Sequence, residues 1–142
     1  MPDAPLQVVV LAAALGPRWI AVRASDIREI LGRVSVVPLP SGREGLIGVV
    51  PWRGRAVAVL DLAATVGDDT GGARARTLIL ELGTDTIAVP VDRVREARLA
   101  EATRAGHAAK TPFSTVEVEL EGEVMPLFEP SLWLATLEGG SS

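Results

Sequence analysis

Cysteine and tyrosine are absent from this chain of 142 residues, and His107 is its only histidine. Without thiols there is no disulfide scaffold, and one imidazole cannot supply the nitrogen and sulfur ligands of a zinc site. A Ser-His-Asp relay would have to use His107, which lies in the polar run Arg104-Ala105-Gly106-His107-Ala108-Ala109-Lys110 with no serine elbow beside it. A phosphate cradle is missing as well, because Gly45-Leu46-Ile47-Gly48 is apolar and is not followed by Lys-Ser/Thr. Asp26, Asp61 and Asp92 stand where turns or helix starts favour a carboxylate, with Asp61 read as the N-cap of a helical turn. The chain is therefore read as a non-enzyme without cofactor or metal. No apolar run approaches the roughly 20 residues that span a bilayer. The opening Met1-Pro2-Asp3-Ala4-Pro5 lacks an export signal's basic n-region, so a cytoplasmic protein without membrane insertion is expected. A net charge of −4 argues against nucleic acid.

What the chain does have is an internal copy. Ile20-Ala21-Val22 returns as Ile87-Ala88-Val89, and the same offset of 67 pairs Arg28-Glu29 with Arg95-Glu96, Leu11 with Leu78, Leu15 with Leu82 and Gly16 with Gly83. The matches are mostly apolar, so they describe two similar cores rather than one site. Each half, at roughly 65 residues, is near the lower limit for folding alone, so the halves should pack together. Their charges differ: residues 1–66 carry seven Lys/Arg against five Asp/Glu, and residues 67–142 carry seven against thirteen. Opposite net signs on similar lobes favour head-to-tail contact between such molecules.

Valine-rich, alternating segments punctuated by Gly or Pro about every ten residues predict short strands in small barrels. Strands are expected near Leu6–Leu15, Arg18–Arg23, Ile27–Val34, Leu46–Trp52 and Ala56–Leu60, then near Thr77–Leu82, Thr86–Val91, Val94–Leu99, Ser114–Leu120 and Glu123–Phe128. A short helical turn follows the first set, over Asp61–Val66, and a closing helix over Ser131–Leu137 follows the second. The pattern gives one domain over 6–137: a first barrel over 6–66, a linker over 67–76, a second barrel over 77–137, and a disordered tail over 138–142. Pro51, Pro90 and Pro126 should sit at edges, bulges or strand ends, because proline cannot donate to a ladder. Trp19 and Trp133 are expected to pack the lobes.

The most specific run is Gly48-Val49-Val50-Pro51-Trp52-Arg53-Gly54-Arg55-Ala56-Val57-Ala58-Val59-Leu60-Asp61-Leu62. It reads as strand, tight turn at Arg53-Gly54, and strand ending in a capped helix. Upstream lies Asp26-Ile27-Arg28-Glu29-Ile30, which invites a salt bridge between Glu29 and Arg53. With Val37-Pro38-Leu39-Pro40 and Val91-Asp92-Arg93-Val94, these segments resemble the CheW-like domain family of bacterial chemosensory coupling proteins, from about Leu6 to Leu137. Pro51-Trp52 stands where that family usually has Asn-Leu, and Ala58 where it commonly has proline.

The resemblance implies a mainly β fold of two tandem five-stranded SH3-like barrels with short helices. It also implies a non-catalytic adaptor that joins a chemoreceptor's cytoplasmic tip to the regulatory domain of a CheA-type histidine kinase, with other CheW-like proteins as further partners. Carried over residue by residue, it assigns receptor binding to Ile27, Glu29, Gly48 and Arg53, and Val36 and Val37 are read as apolar neighbours in the same receptor surface. Kinase binding falls to Trp52, Arg55 and Val57, since Trp and Arg are frequent hot spots when exposed. Two structural readings stand beside these: Glu29 and Arg53 as a buried pair that fixes the first barrel, and Trp52 as core. Two other functions also compete: a paralogue acting as a selectivity or localisation factor that binds one partner only, and a small barrel that binds or hydrolyses a small ligand. The last requires an enclosed pocket with convergent polar groups.

Overall fold

The structure is a computed structural model that describes residues 6–39, 45–62, 74–104 and 114–132. It is mainly β. Among the described residues twelve strands run in chain order as β1 (Leu6–Leu15), β2 (Arg18–Arg23), β3 (Ile27–Leu31), β4 (Val37–Pro38), β5 (Leu46–Trp52) and β6 (Arg55–Leu60), then β7 (Arg76–Leu82), β8 (Asp85–Val91), β9 (Arg93–Val94), β10 (Arg98–Arg104), β11 (Val116–Leu120) and β12 (Glu123–Pro126). A single 3₁₀ turn, Ala24–Asp26, joins β2 to β3. The linker Gly67–Gly72, the rest of the turn begun at residue 62, most of the closing helix, His107, Trp133 and the tail lie outside the described residues.

The strands form two six-stranded sheets that do not follow the halves of the chain. One runs β12-β11-β10-β1-β2, with β9 also on β1; the other runs β3-β7-β8-β6-β5-β4. The division into a 6–66 barrel and a 77–137 barrel is corrected accordingly: each copy donates its first two strands to the sheet of the other. The physical reason is burial. Ile20, Ala21, Val22, Ile87, Ala88 and Val89 are all at most 3% exposed, so both faces of β2 and β8 must be covered. Exchange places one face of these strands in the central cluster, where Leu15, Ile20 and Val22 meet Leu78, Leu80, Val89 and Phe128. The opposite faces fill the two sheet interiors, Ala12 and Ala21 with Val118 and Met125 in one, Ile79 and Ala88 with Val50 and Val59 in the other.

The offset of 67 maps one sheet onto the other. Parallel pairing of β6 with β8 at Val59↔Ala88 has its counterpart in the parallel bridge Ala21↔Leu127. The copies differ at one seam. In the first sheet β10 pairs with β1 from Leu6↔Ala102 to Val10↔Arg98 and, with the Ala21↔Leu127 bridge, nearly closes a barrel. In the second sheet the residues corresponding to β10 are split between the end of β3, where Leu31 pairs with Thr77 as Arg98 pairs with Val10, and the two-residue β4, which pairs only with β5, so the sheet stays open.

The strand expected over Val94–Leu99 is broken into β9 and β10. Both pair with β1, at Ala13↔Val94 and Val10↔Arg98, so the chain spends four steps where β1 spends three and must bulge. Pro51 lies beyond the two-residue reach of β4, Pro90 lies past the last β6 pair, and Pro126 ends β12, as the missing N–H requires. Asp92 ties the two sheets. Its Oδ2 accepts the Gly16 N–H of the β1–β2 turn at 2.5 Å, and its Oδ1 accepts the Arg74 N–H at 2.9 Å and the Arg74 guanidinium at 2.7 Å.

Candidate functional site

The hairpin between β5 and β6 turns on Arg53 (φ 48°) and Gly54 (φ 76°), two successive left-handed residues as a tight two-residue loop requires. This twist sends the Trp52 and Arg53 side chains toward β3. There a register irregularity between Ile27 and Glu29 breaks the strict alternation and presents Glu29 to the hairpin. Glu29 Oε1 accepts the Trp52 Nε1–H at 2.9 Å and the Arg53 guanidinium at 3.4 Å. The Arg53 guanidinium also lies 4.8 Å from the centre of the Trp52 ring, and that of Arg55 lies 5.7 Å away and donates to Thr86 Oγ1 at 2.9 Å.

The Glu29–Arg53 pair is thus present, with a third member that its spacing did not announce. Trp52 holds the carboxylate at a shorter distance than the arginine does. The pair is not buried: its side chains are 56% and 38% exposed. An ion pair this open contributes about 0–1 kcal/mol, so the reading of a buried pair that fixes the barrel is corrected.

The other assigned residues separate into surface and support. Val37 is 55% exposed, while Val36 is partly buried against the second sheet's interior and Ile27 against the central cluster. Gly48 is packed so closely that an added Cβ would lie 2.2 Å from the Val37 carbonyl oxygen and 2.8 Å from Val36 Cγ1. Its place is structural, allowing β4 to lie on β5. Trp52 at 7% and Val57 at 2% exposure are core residues. Neither offers a face to a partner, so their assignment to kinase contact is corrected: alternation along β5 and β6 points them inward. Arg55 remains at the surface.

Sequence reasoning missed two exposed apolar neighbours of Val37. Leu39 is 46% and Ile47 40% exposed, both one residue beyond the Pro38↔Gly48 pair on the same side of it. The clue was the run Val37-Pro38-Leu39, in which apolar residues alternate with a proline on a sheet margin. Elsewhere, Trp19 is flanked by Arg95 at 4.0 Å and Arg93 at 5.2 Å from its ring centre. Burial pushes the Asp26 carboxyl up, against a smaller opposing effect of Arg23. For Asp92 burial also pushes upward, but the Arg74 and Gly16 amides and the Arg74 guanidinium outweigh it and hold the carboxyl below the usual range.

Among the described residues no group of three or more His, Cys, Asp or Glu side chains is placed to hold a metal ion, and no helix is long and apolar enough to cross a membrane. Comparison with known proteins finds that the model of the CheW-like domain family matches residues 9–138. Among solved structures the chain is similar to the scaffolding protein TtCheW from Thermoanaerobacter tengcongensis, with a TM-score of 0.78 at 18% identity over 87% of this chain and 90% of that one. No curated protein matches the sequence.

Proposed function

The chain belongs to the CheW-like domain family of non-catalytic scaffolding proteins, and we propose that it couples the cytoplasmic tip of a chemoreceptor to a CheA-type histidine kinase inside the cell. The observation that carries the proposal is the charged cluster Glu29–Trp52–Arg53 on the open sheet, in a molecule whose margin also exposes Val37, Leu39 and Ile47. A buried three-layer core makes a stiff body, and a stiff body with two kinds of sticky surface can transmit a displacement from one partner to another.

Glu29 and Arg53 supply oriented polar contacts to a helical hairpin, while Val37, with Leu39 and Ile47 added as neighbours, supplies apolar area for a helix-in-groove contact. Val36, Ile27 and Gly48 shape that surface from beneath. Arg55 borders the kinase contact. The strands β11 and β12 carry Glu117, Glu119 and Glu123 and no basic residue, an acidic margin suited to a basic surface in barrel-to-barrel assemblies.

The test is co-purification of the full chain with the regulatory domain of a CheA-type kinase and a receptor signalling tip. The coupling reading expects both partners to be retained, and the receptor tip to be recovered on the kinase only when this chain is present. Retention of one partner alone would replace it with a selectivity factor, the reading that the unusual Pro51-Trp52 pair favours.

A further inference from the structure

The first sheet, which does not contain the Glu29–Trp52–Arg53 cluster, has an unpartnered face of mixed character. Register fixes its layout. Val9 lies directly opposite Leu99, and two residues along the strands a row runs Gln7, Glu101, Glu119 and Val124 across β1, β10, β11 and β12. Val9, Leu99 and Val124 are between 46% and 61% exposed, and Glu101 and Glu119 are exposed as well. Apolar side chains therefore flank two carboxylates on one surface, because alternate residues of a strand share a face.

Neither carboxylate serves the fold. Glu101 and Glu119 are cross-strand partners, and like charges placed directly opposite each other destabilise a sheet. None of the ion pairs among the described residues includes either one; Arg98 is engaged with Glu121 at 2.9 Å and Arg95 with Glu123 at 3.4 Å. Nor do they guard an edge, since β10 and β11 are inner strands of the order β12-β11-β10-β1-β2. Val9 and Leu99 add a contiguous apolar pair beside them, and exposed apolar area rimmed by charge marks a contact surface.

We infer that this face docks an amphipathic helix of a partner protein whose contact stripe carries two cations between apolar residues. Charge complementarity sets the sign: two opposed carboxylates without a counterion in the sheet are relieved by Lys or Arg from outside. Spacing sets the helix. Leu99 and Val124 are two strands across and two residues along from each other, which puts them roughly 12 Å apart. Residues seven or eight apart in a helix are separated by about 10.5–12 Å. Apolar residues at i and i+7 or i+8 then meet Leu99 and Val124, and cations at i+3 and i+4 fall over Glu101 and Glu119. A docking strand would need a free edge, whereas this surface is the side-chain face of the sheet.

The inference does not depend on receptor or kinase binding, and of the acidic margin it uses Glu119 alone. It is tested by fluorescence anisotropy of a labelled alanine-rich peptide of about 18 residues, bearing Leu, Lys, Lys and Leu at i, i+3, i+4 and i+7, titrated with the full chain at about 0.15 M salt. Saturable binding is expected by about 1 mM, and a peptide of equal composition with those residues scattered over all faces should bind at least about tenfold more weakly. Leu99→Ser, at an exposed position, is expected to weaken binding by about the same factor with little change in melting temperature. Glu119→Lys is expected to abolish binding and to raise the melting temperature, because it then faces Glu101 with opposite charge. Should that variant not fold, Glu101→Gln decides in its place through a loss of about threefold or more in affinity. No saturable binding, equal affinity for the scattered peptide, or parental affinity in Leu99→Ser or in the charge variant would overturn the inference.

Discussion

Replacing Asp92 by asparagine removes one negative charge from the junction of the two sheets and leaves the shape nearly unchanged. The carboxylate now receives three donors, the Gly16 and Arg74 amides and the Arg74 guanidinium, and its side chain is only 12% exposed beside an arginine at 22%. Hydrogen bonds to a charged group contribute about 1.5–3 kcal/mol each at most, and asparagine still offers one acceptor while turning an amide toward a donor. The expected loss at pH 7 is about 3 kcal/mol, or roughly 10 °C in melting temperature for a domain of this size. Urea unfolding followed by tryptophan fluorescence reads it directly. The pH dependence identifies the cause. Because the folded-state carboxyl sits below its ordinary value, its contribution is complete above about pH 4–5, the region of an unfolded aspartate, and fades as pH falls through the folded value. Parent and variant should converge in acid. A loss below about 0.5 kcal/mol at pH 7, or a gap that stays constant down to the lowest pH at which both fold, would refute the electrostatic tie.

Three further outcomes test the site. Arg53→Ala keeps the left-handed turn and breaks an exposed ion pair and the contact with the Trp52 ring, so it should cost no more than about 2 kcal/mol and yet lose receptor co-purification; a folded variant that binds receptor as the parent does removes Arg53 from the site. Gly48→Ala forces a Cβ against the Val37 carbonyl, so β4 must lift from β5; a destabilisation of about 1–3 kcal/mol is expected in thermal melts, and an unchanged melting temperature would show that the contact is soft. Val57→Ala empties core volume and should cost about 1–3 kcal/mol without altering kinase affinity at temperatures where the variant is folded; a selective loss of kinase binding would restore its interface role.

Much of the strand layout was legible because it rests on local signals. Leu6–Leu15, Arg18–Arg23 and Leu46–Trp52 alternate or run apolar between turn residues, and their observed limits coincide with the expected ones. β4 escaped notice because two residues beside a proline carry no periodicity, and Val94–Leu99 read as one strand because a bulge leaves no local mark. At the site, Glu29 and Arg53 were paired by charge and motif. Their exposure, the Trp52 hydrogen bond and the inward direction of Val57 depend on which face the sheet turns to its core. An apolar alternation names two faces without saying which one meets a partner.

The amino-acid sequence by itself determined that this is a duplicated β protein without the thiols or the second imidazole from which zinc sites are usually built, since residue types and their repeat are properties of the chain alone. Only the tertiary structure decided which copy completes which sheet. Two strands that are apolar on both sides can satisfy either pairing in one dimension. Exchange between the copies covers both sides in three, and it leaves one seam closed by β10 and the other open beside β4.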